Sequence, residues 1–217
     1  MHSGQKLLSY MTLLESATPS PVGCIKEDLN GKKLGCIEAF EEVMQAYIHP
    51  RLAHIEGRAI EDLYAALAQG DLPSVFRIDR SLRTRTCPND IDTEMRRSGR
   101  KLLKLSKSLY PWMNFAPLAE AIQSETAFGC PATFYAWINF HLEIERSEAA
   151  AAYLYHHATL YVEHCSRLLE LDDVSRRKLL MRMIDDISLR WSLVRTADAP
   201  ASPEYDSLYD APIQKTL

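Results

Sequence analysis

Glycine is scarce in this sequence, with 8 glycines among 217 residues, and polar and apolar residues hardly ever alternate over several positions. Both absences argue against a protein built from β-strands joined by tight turns. Helix-forming residues dominate the stretches between prolines and glycines, and apolar side chains recur there at intervals of three and four. Because 47% of the residues are apolar, the chain can fill one core. We therefore predict an all-α protein, a single-domain bundle of about eight or nine helices.

The sequence also lacks the short motifs that carry common catalytic chemistry. It contains no phosphate loop G-x-x-x-x-G-K-[ST], no nucleophile elbow G-x-S-x-G, no zinc helix H-E-x-x-H and no dinucleotide turn G-x-G-x-x-G. The pairs Asp172-Asp173 and Asp185-Asp186 do not continue into the Asp-Asp-x-x-Asp pattern that holds magnesium and pyrophosphate. We expect Asp172 and Asp173 to cap the helix that follows them. No catalytic residue is predicted, and the chain is interpreted as a binding protein and not an enzyme.

Histidines are present, but not at the spacing of a metal site on one helix. His157 and His164 are seven residues apart, or about 10 Å along a helix, so they need ligands from elsewhere to share an ion. We interpret them, together with Tyr161, as structural residues of one helix face. The alternative is a metal site somewhere in residues 156–165.

Neither disulfides nor a membrane span are expected. The five cysteines form no C-x-x-C pair and are odd in number, so we expect reduced thiols and a cytoplasmic protein. The longest stretch that is uncharged apart from Glu125, residues 124–142, is interrupted by Gly129 and Pro131.

The net charge of −4 is unevenly distributed. Residues 77–107 contain ten Lys/Arg against four Asp/Glu, a local charge of +6 that leaves −10 for the rest of the chain. Part of this charge follows one stripe of the helix predicted from Asp92 or Thr93 to Leu109. The stripe is either an ordinary solvated helix face or a docking surface for an acidic partner. The second interpretation makes four residues candidate partner-binding residues: Arg97, Arg100, Lys101 and Lys104.

Prolines and glycines divide the apolar pattern into helices. A first helix is predicted at residues 7–14, and a second begins near Ile37 and must bend or restart at Pro50, with a third at residues 60–67. On the long helix at residues 147–169, one stripe should be buried: Tyr153, Leu154, Ala158, Tyr161 and Cys165. The predicted organisation is a helical domain at residues 1–195 and a flexible C-terminal tail at residues 196–217.

Several stretches resemble the UreF family of urease accessory proteins. Tyr153-Leu154-Tyr155 and Arg167-Leu168 open and close the long helix as the family's Tyr-Leu-Tyr (or Tyr-Leu-Phe) and Arg-Leu steps do. The step Gly-x-x-Leu-Leu-x-Leu is supplied by residues 99–105, with Glu94 in the acidic position before it. Glu56 stands where members usually carry aspartate, and residues 130–134 resemble the family's proline-started helix. The resemblance spans residues 7–195, whereas the loop at residues 19–24 and the C-terminal end differ from the family pattern.

The resemblance implies a urease maturation factor that acts by binding proteins. Its expected partners are a companion accessory protein (UreD/UreH), the maturation GTPase (UreG) and apo-urease, with a homodimer as its own state and no nucleic acid or membrane. Nickel is expected to pass through the complex, with no stably bound cofactor. The resemblance makes Glu56 and Glu94 further partner-binding candidates. It gives a structural role to five residues: Gly99, Tyr153, Tyr155, Tyr161 and Arg167.

Two alternatives remain open at the level of the sequence. The first is a helical nucleic-acid-binding or regulatory module that uses the basic stretch at residues 77–107. The second is an all-α enzyme without a recognisable motif.

Overall fold

The structure is a computed structural model and describes residues 36–86 and 92–197. These residues form seven helices and no strand, which confirms the all-α class, with a helix number slightly below the predicted eight or nine. We number them α1 (residues 37–69), α2 (Leu72–Thr86), α3 (Asp92–Leu109), α4 (Ala116–Gln123), α5 (Pro131–His141), α6 (Arg146–Leu168) and α7 (Asp173–Ala197). The predicted helix at residues 7–14 lies outside the described residues. So does nearly all of the predicted tail, and α7 runs two residues past the predicted boundary at residue 195.

Helix α1 continues through Pro50, so the prediction of separate second and third helices is wrong. Its ends are α-helical, at Ile37–Val43 and Arg58–Gln69, and the stretches Met44–Ile48 and Arg51–Gly57 are π-helical. Proline lacks an N–H group and its ring crowds the carbonyl four residues earlier, which normally kinks or breaks an α-helix. Before Pro50 the turn is of the wider π type, because the N–H of His49 donates to the carbonyl of Met44, five residues earlier. A wider turn leaves more room for the proline ring.

The remaining helix ends follow the chemistry of the sequence. Helix α1 stops at Gly70, which adopts a left-handed conformation with φ of 68°. Pro131 occupies the start of α5, as predicted. The Asp172 carboxylate accepts a hydrogen bond of 2.8 Å from the N–H of Ser175, and this confirms its predicted cap.

Helix α5 lies at the centre of the bundle, with residues 132–139 all buried. Helices α3 and α6 and the C-terminal half of α1 pack against α5. Helix α7 packs along α6 and along the π-helical part of α1. The predicted stripe of α6 is confirmed, because Tyr153, Leu154, Ala158, Tyr161 and Cys165 are each at most 2% exposed.

Gly99 marks the closest contact between α3 and the rest of the bundle. A Cβ atom built on Gly99 would lie 2.2 Å from the carbonyl oxygen of Phe128, and the Cα of Gly99 lies 3.1 Å from a Cβ built on Gly129. This contact is with the backbone of the loop that precedes α5. The structural role that the resemblance gives Gly99 stays a prediction.

Candidate partner-docking surface

Helix α3 presents a row of cations to solvent. Its core-facing side contains Gly99, Leu102 and Ser106, which are buried. The opposite side carries five exposed cations, which we call the basic face: Arg97, Arg100, Lys101, Lys104 and Lys107. The predicted stripe is therefore a continuous exposed face, and its role in binding a partner stays a prediction.

Arg96, next to the basic face in sequence, is used differently. Its side chain is 20% exposed and forms a salt bridge of 3.6 Å with Glu125. Its guanidinium carbon also lies 4.6 Å from the centre of the Phe128 ring, within the range of a cation–π interaction. Arg96 therefore ties α3 to the loop before α5 and does not belong to the basic face.

Large apolar side chains are exposed where α3 ends. Leu109 is 45% exposed and Trp112, three residues later, is 65% exposed. Tyr110 is half-buried and meets Trp112 edge to face, with 6.4 Å between the ring centres. An exposed aromatic residue therefore follows the helix that carries the basic face, five residues after Lys107 in sequence.

Glu56 lies inside the bundle and not on this surface. It is only 9% exposed. The hydroxyl of Tyr153 donates a hydrogen bond of 2.7 Å to one of its carboxylate oxygens, and Arg51 Nε lies 3.7 Å from the other. Arg51 also donates to the hydroxyl of Tyr161. The Glu56 carboxylate is therefore directed at α6, because a buried charge needs internal partners, and the geometry gives no support to a partner contact there.

The long aromatic helix supplies the other half of this internal cluster. The ring of His157 stacks on Tyr153 with 4.0 Å between ring centres, and its Nδ1 lies 3.0 Å from the carbonyl oxygen of Tyr153. Burial lowers the pKa of His157 and raises the pKa of Tyr153. Both groups are therefore neutral at pH 7, and the structural interpretation of His157 and Tyr161 fits their surroundings.

The remaining candidates are dispersed. Tyr155 is 51% exposed, and Arg167 is exposed with its Nε 3.4 Å from the carbonyl oxygen of Glu163. The surroundings of Tyr155 and Arg167 do not explain why these two residues recur in the family pattern. Glu94 belongs to α3, but its side chain lies outside the described part of the structure.

Sequence reasoning missed Asp79, which is fully buried in α2. Its carboxylate accepts hydrogen bonds from the N–H groups of Phe128, Gly129 and Cys130, and from the hydroxyl of Thr133 at 2.6 Å. The carboxylate thus holds the loop before α5 and sits at the positive end of that helix. An acidic residue within the apolar stripe of α2, beside Ile78, was the signal available in the sequence.

Residues 36–86 and 92–197 contain neither a candidate metal site nor a candidate membrane span. No three His, Cys, Asp or Glu side chains there are grouped so that they could hold a metal ion. No helix in the same residues combines the length and the apolar content that crossing a bilayer requires.

Comparison with known proteins gives one consistent match. The model of the UreF family matches residues 37–184, which include most of the described bundle and the whole basic face. The urease accessory protein UreF of Lachnoclostridium phytofermentans is 26% identical over 159 residues, covering 73% of this chain and 70% of that protein. The urease accessory protein UreF of Bacillus sp. (strain TB-90) is 22% identical over 182 residues, covering 82% of this chain and 80% of that protein.

Proposed function

Because the chain belongs to the UreF family of urease accessory proteins, we propose that it is a scaffold in urease maturation that acts by binding other proteins. In this proposal it joins a companion accessory protein and recruits and regulates the maturation GTPase on apo-urease. Nickel passes through the assembled complex as cargo. The family name describes an accessory protein and not an enzyme, so the proposal concerns binding surfaces and not catalytic groups.

The observation that carries the proposal is the basic face of α3. Five cations project from one side of a helix whose other side is fixed against the core at Gly99 and Leu102. Exposed charges add little to folding stability, whereas on a rigid helix they can steer an oppositely charged partner. The remainder of the chain carries −10, which disfavours nucleic acid and leaves an acidic protein surface as the suitable partner.

Charge reversal tests the proposal. The double variant Arg97→Glu/Arg100→Glu should bind the purified partner more slowly and should lower urease activation in cells that lack their own accessory protein. The association rate is the expected target because exposed charges act mainly before contact, and the effect should diminish as salt is added. Surface plasmon resonance at several salt concentrations measures it.

The matched control is Arg146→Glu/Arg177→Glu, which makes the same change in net charge at two exposed positions, one at the start of α6 and one on α7. Equal slowing by both double variants would show a general charge effect and not a docking surface. If the wild-type chain binds none of the three partners and does not support urease activation, the scaffold proposal fails.

A second surface, on α7, suits the proposed homodimer. Four large apolar side chains are exposed there by 59–62%, at intervals that place them on one side of the helix: Val174, Met181, Leu189 and Leu193. Sedimentation equilibrium of wild type and Met181→Glu tests this contact, because a charge at its centre should shift the chain to monomer. A dimer that is unchanged by the substitution would place the contact elsewhere.

A further inference from the structure

Trp112 is the exposed tryptophan of the described chain. It is 65% exposed, whereas Trp137 and Trp191 are 3% and 6% exposed. In sequence it lies five residues after Lys107, the last cation of the basic face. A large aromatic side chain left in water loses the free energy that burial would give it, so an exposed ring directly after the helix that carries the cations requires an explanation.

Folding does not explain the exposure of Trp112. The turn that contains it is closed by a backbone hydrogen bond of 3.0 Å from the N–H of Met113 to the carbonyl of Tyr110. Met113 and Phe115 point into the core and are 6% and 2% exposed. The segment is therefore anchored by its neighbours, and Trp112 is held outward on a well-packed turn.

We infer that Trp112 is the apolar anchor of the basic face, and that the occupant is an acidic protein surface with an apolar pocket beside its carboxylates. Tryptophan is enriched among the residues that dominate protein interfaces, where it fills a desolvated pocket surrounded by weaker polar contacts. The basic face supplies those surroundings, and its five positive charges fix the sign of the partner. This inference rests on the proposed function and adds the residue that holds the partner once charge has brought it near.

Nucleic acid fits the same surface less well. Stacking platforms for single strands interleave aromatic residues with cations, whereas here the exposed ring of Trp112 follows the last cation in sequence. The charge of −10 on the rest of the chain also repels a polyanion.

The test separates the anchor from the cations by their kinetics. The full-length chain is used with the purified maturation GTPase, companion accessory protein and apo-urease of the same organism, each as a separate probe. For the probe that binds, Trp112→Ala should weaken binding about 30-fold, as removal of an interface hot spot does, mainly through faster dissociation. Arg97→Glu/Arg100→Glu should mainly slow association. Leu168→Ala, at a side chain of α6 that is 55% exposed, controls for loss of an exposed apolar side chain.

Acrylamide quenching of tryptophan fluorescence reports the same contact directly. Trp112 should be quenched readily in the chain alone and protected when the partner is bound, and a Trp112→Phe variant gives the signal of the two buried tryptophans for subtraction. The thermal midpoint of Trp112→Ala should equal that of wild type, because the ring is mostly in water. Since the variant should fold normally, a loss of binding would be assigned to the surface.

Each contrary result has a different meaning. A complex could form that Trp112→Ala does not weaken and that does not protect Trp112 from quenching. In that case the anchor is wrong while the scaffold function stands. If no probe binds the wild-type chain, both fail. Protection of Trp112 from quenching in the chain alone also overturns the inferred occupant. If the protection does not depend on protein concentration, another part of the chain covers the ring. If it grows with concentration, a second copy of the chain covers the ring. Protection by duplex DNA or RNA at physiological salt would replace the protein partner with nucleic acid.

Discussion

The buried acids of this protein and the exposed cations of α3 are used in opposite ways. Asp79 and Glu56 are inside the bundle, and their carboxylates accept hydrogen bonds from groups 49 to 97 residues away in sequence. The five cations of the basic face lie in water on one side of one helix. A charge taken out of water must be matched by internal partners, so the fold fixes the buried acids, whereas exposed charges place few demands on the fold. Changes in the two regions should therefore have separate consequences.

The largest expected effect is that of Asp79→Ala in the interior. Removing the carboxylate leaves the N–H groups of Phe128, Gly129 and Cys130 without their acceptor, and the free energy of unfolding should fall by about 4 kcal/mol. Denaturant unfolding followed by circular dichroism measures the loss. Asp71→Ala is the control, because the Asp71 carboxylate caps α2 at the surface and its loss should cost only about 1 kcal/mol. Equal losses in the two variants would show that burial does not set the difference.

Tyr161→Ala should destabilise the protein by about 3 kcal/mol, because it removes a ring that is 1% exposed and leaves a cavity. It also removes the hydroxyl that accepts from Arg51. The matched change on the same helix is Tyr155→Ala, at a ring that is 51% exposed, and it should alter thermal stability little. An unchanged midpoint for Tyr161→Ala would contradict the burial of this face of α6.

Gly99→Ala tests the contact that joins the basic helix to the interior. Alanine is the better helix former by about 1 kcal/mol, so propensity alone predicts a gain in stability. The new methyl group would lie 2.2 Å from a backbone carbonyl oxygen that cannot rotate away, so we expect a net loss of about 2 kcal/mol. Chemical denaturation decides the sign. Lys104→Ala, on the exposed side of the same helix, should leave stability nearly unchanged.

The interior of the bundle and the basic face differ in how much of each the sequence could predict. Periodicity along one helix predicted the buried stripe of α6 and the basic face of α3, because both depend only on spacing within the helix. The hydrogen-bond donors to Glu56 and Asp79 lie on another helix and in a distant loop, so local spacing contained no information about them. Continuity through Pro50 was missed for a related reason. Proline predicts a break unless the helix widens, as α1 does into π-turns on both sides of Pro50, and the proline by itself does not indicate that widening.

The interior should also make the protein sensitive to acid. His49 is fully buried, and neither ring nitrogen has a hydrogen-bond partner among the described side chains. Burial lowers its pKa to about 4, with Asp186 opposing and Arg190 reinforcing that shift. The folded state therefore holds His49 neutral. Its contribution to the free energy of unfolding is present above pH 6.5 and is lost as the pH falls toward 4, because the unfolded chain takes up a proton at this histidine and the folded chain does not. Between pH 6.5 and 5.5 the loss from this group is about 1 kcal/mol.

His49→Gln tests this contribution by removing the titrating ring. The slope of unfolding free energy against pH should become shallower than in wild type. His54→Gln removes an exposed histidine from the same helix and serves as the control. If both variants keep the wild-type slope, His49 does not contribute to acid sensitivity.

The smallest effect on stability is expected at the basic face itself. Arg97→Glu/Arg100→Glu should change the free energy of unfolding by no more than about 0.5 kcal/mol, since both side chains are exposed.

The basic face also decides between an acidic protein and nucleic acid as the partner. Each phosphate neutralised by a cation releases counterions, so a nucleic-acid function predicts tight duplex binding that falls steeply with salt. We expect no such binding at physiological salt, because the remainder of the chain carries −10. Fluorescence polarisation with duplex DNA and RNA measures it, and submicromolar, salt-sensitive binding that the double variant abolishes would overturn the scaffold function.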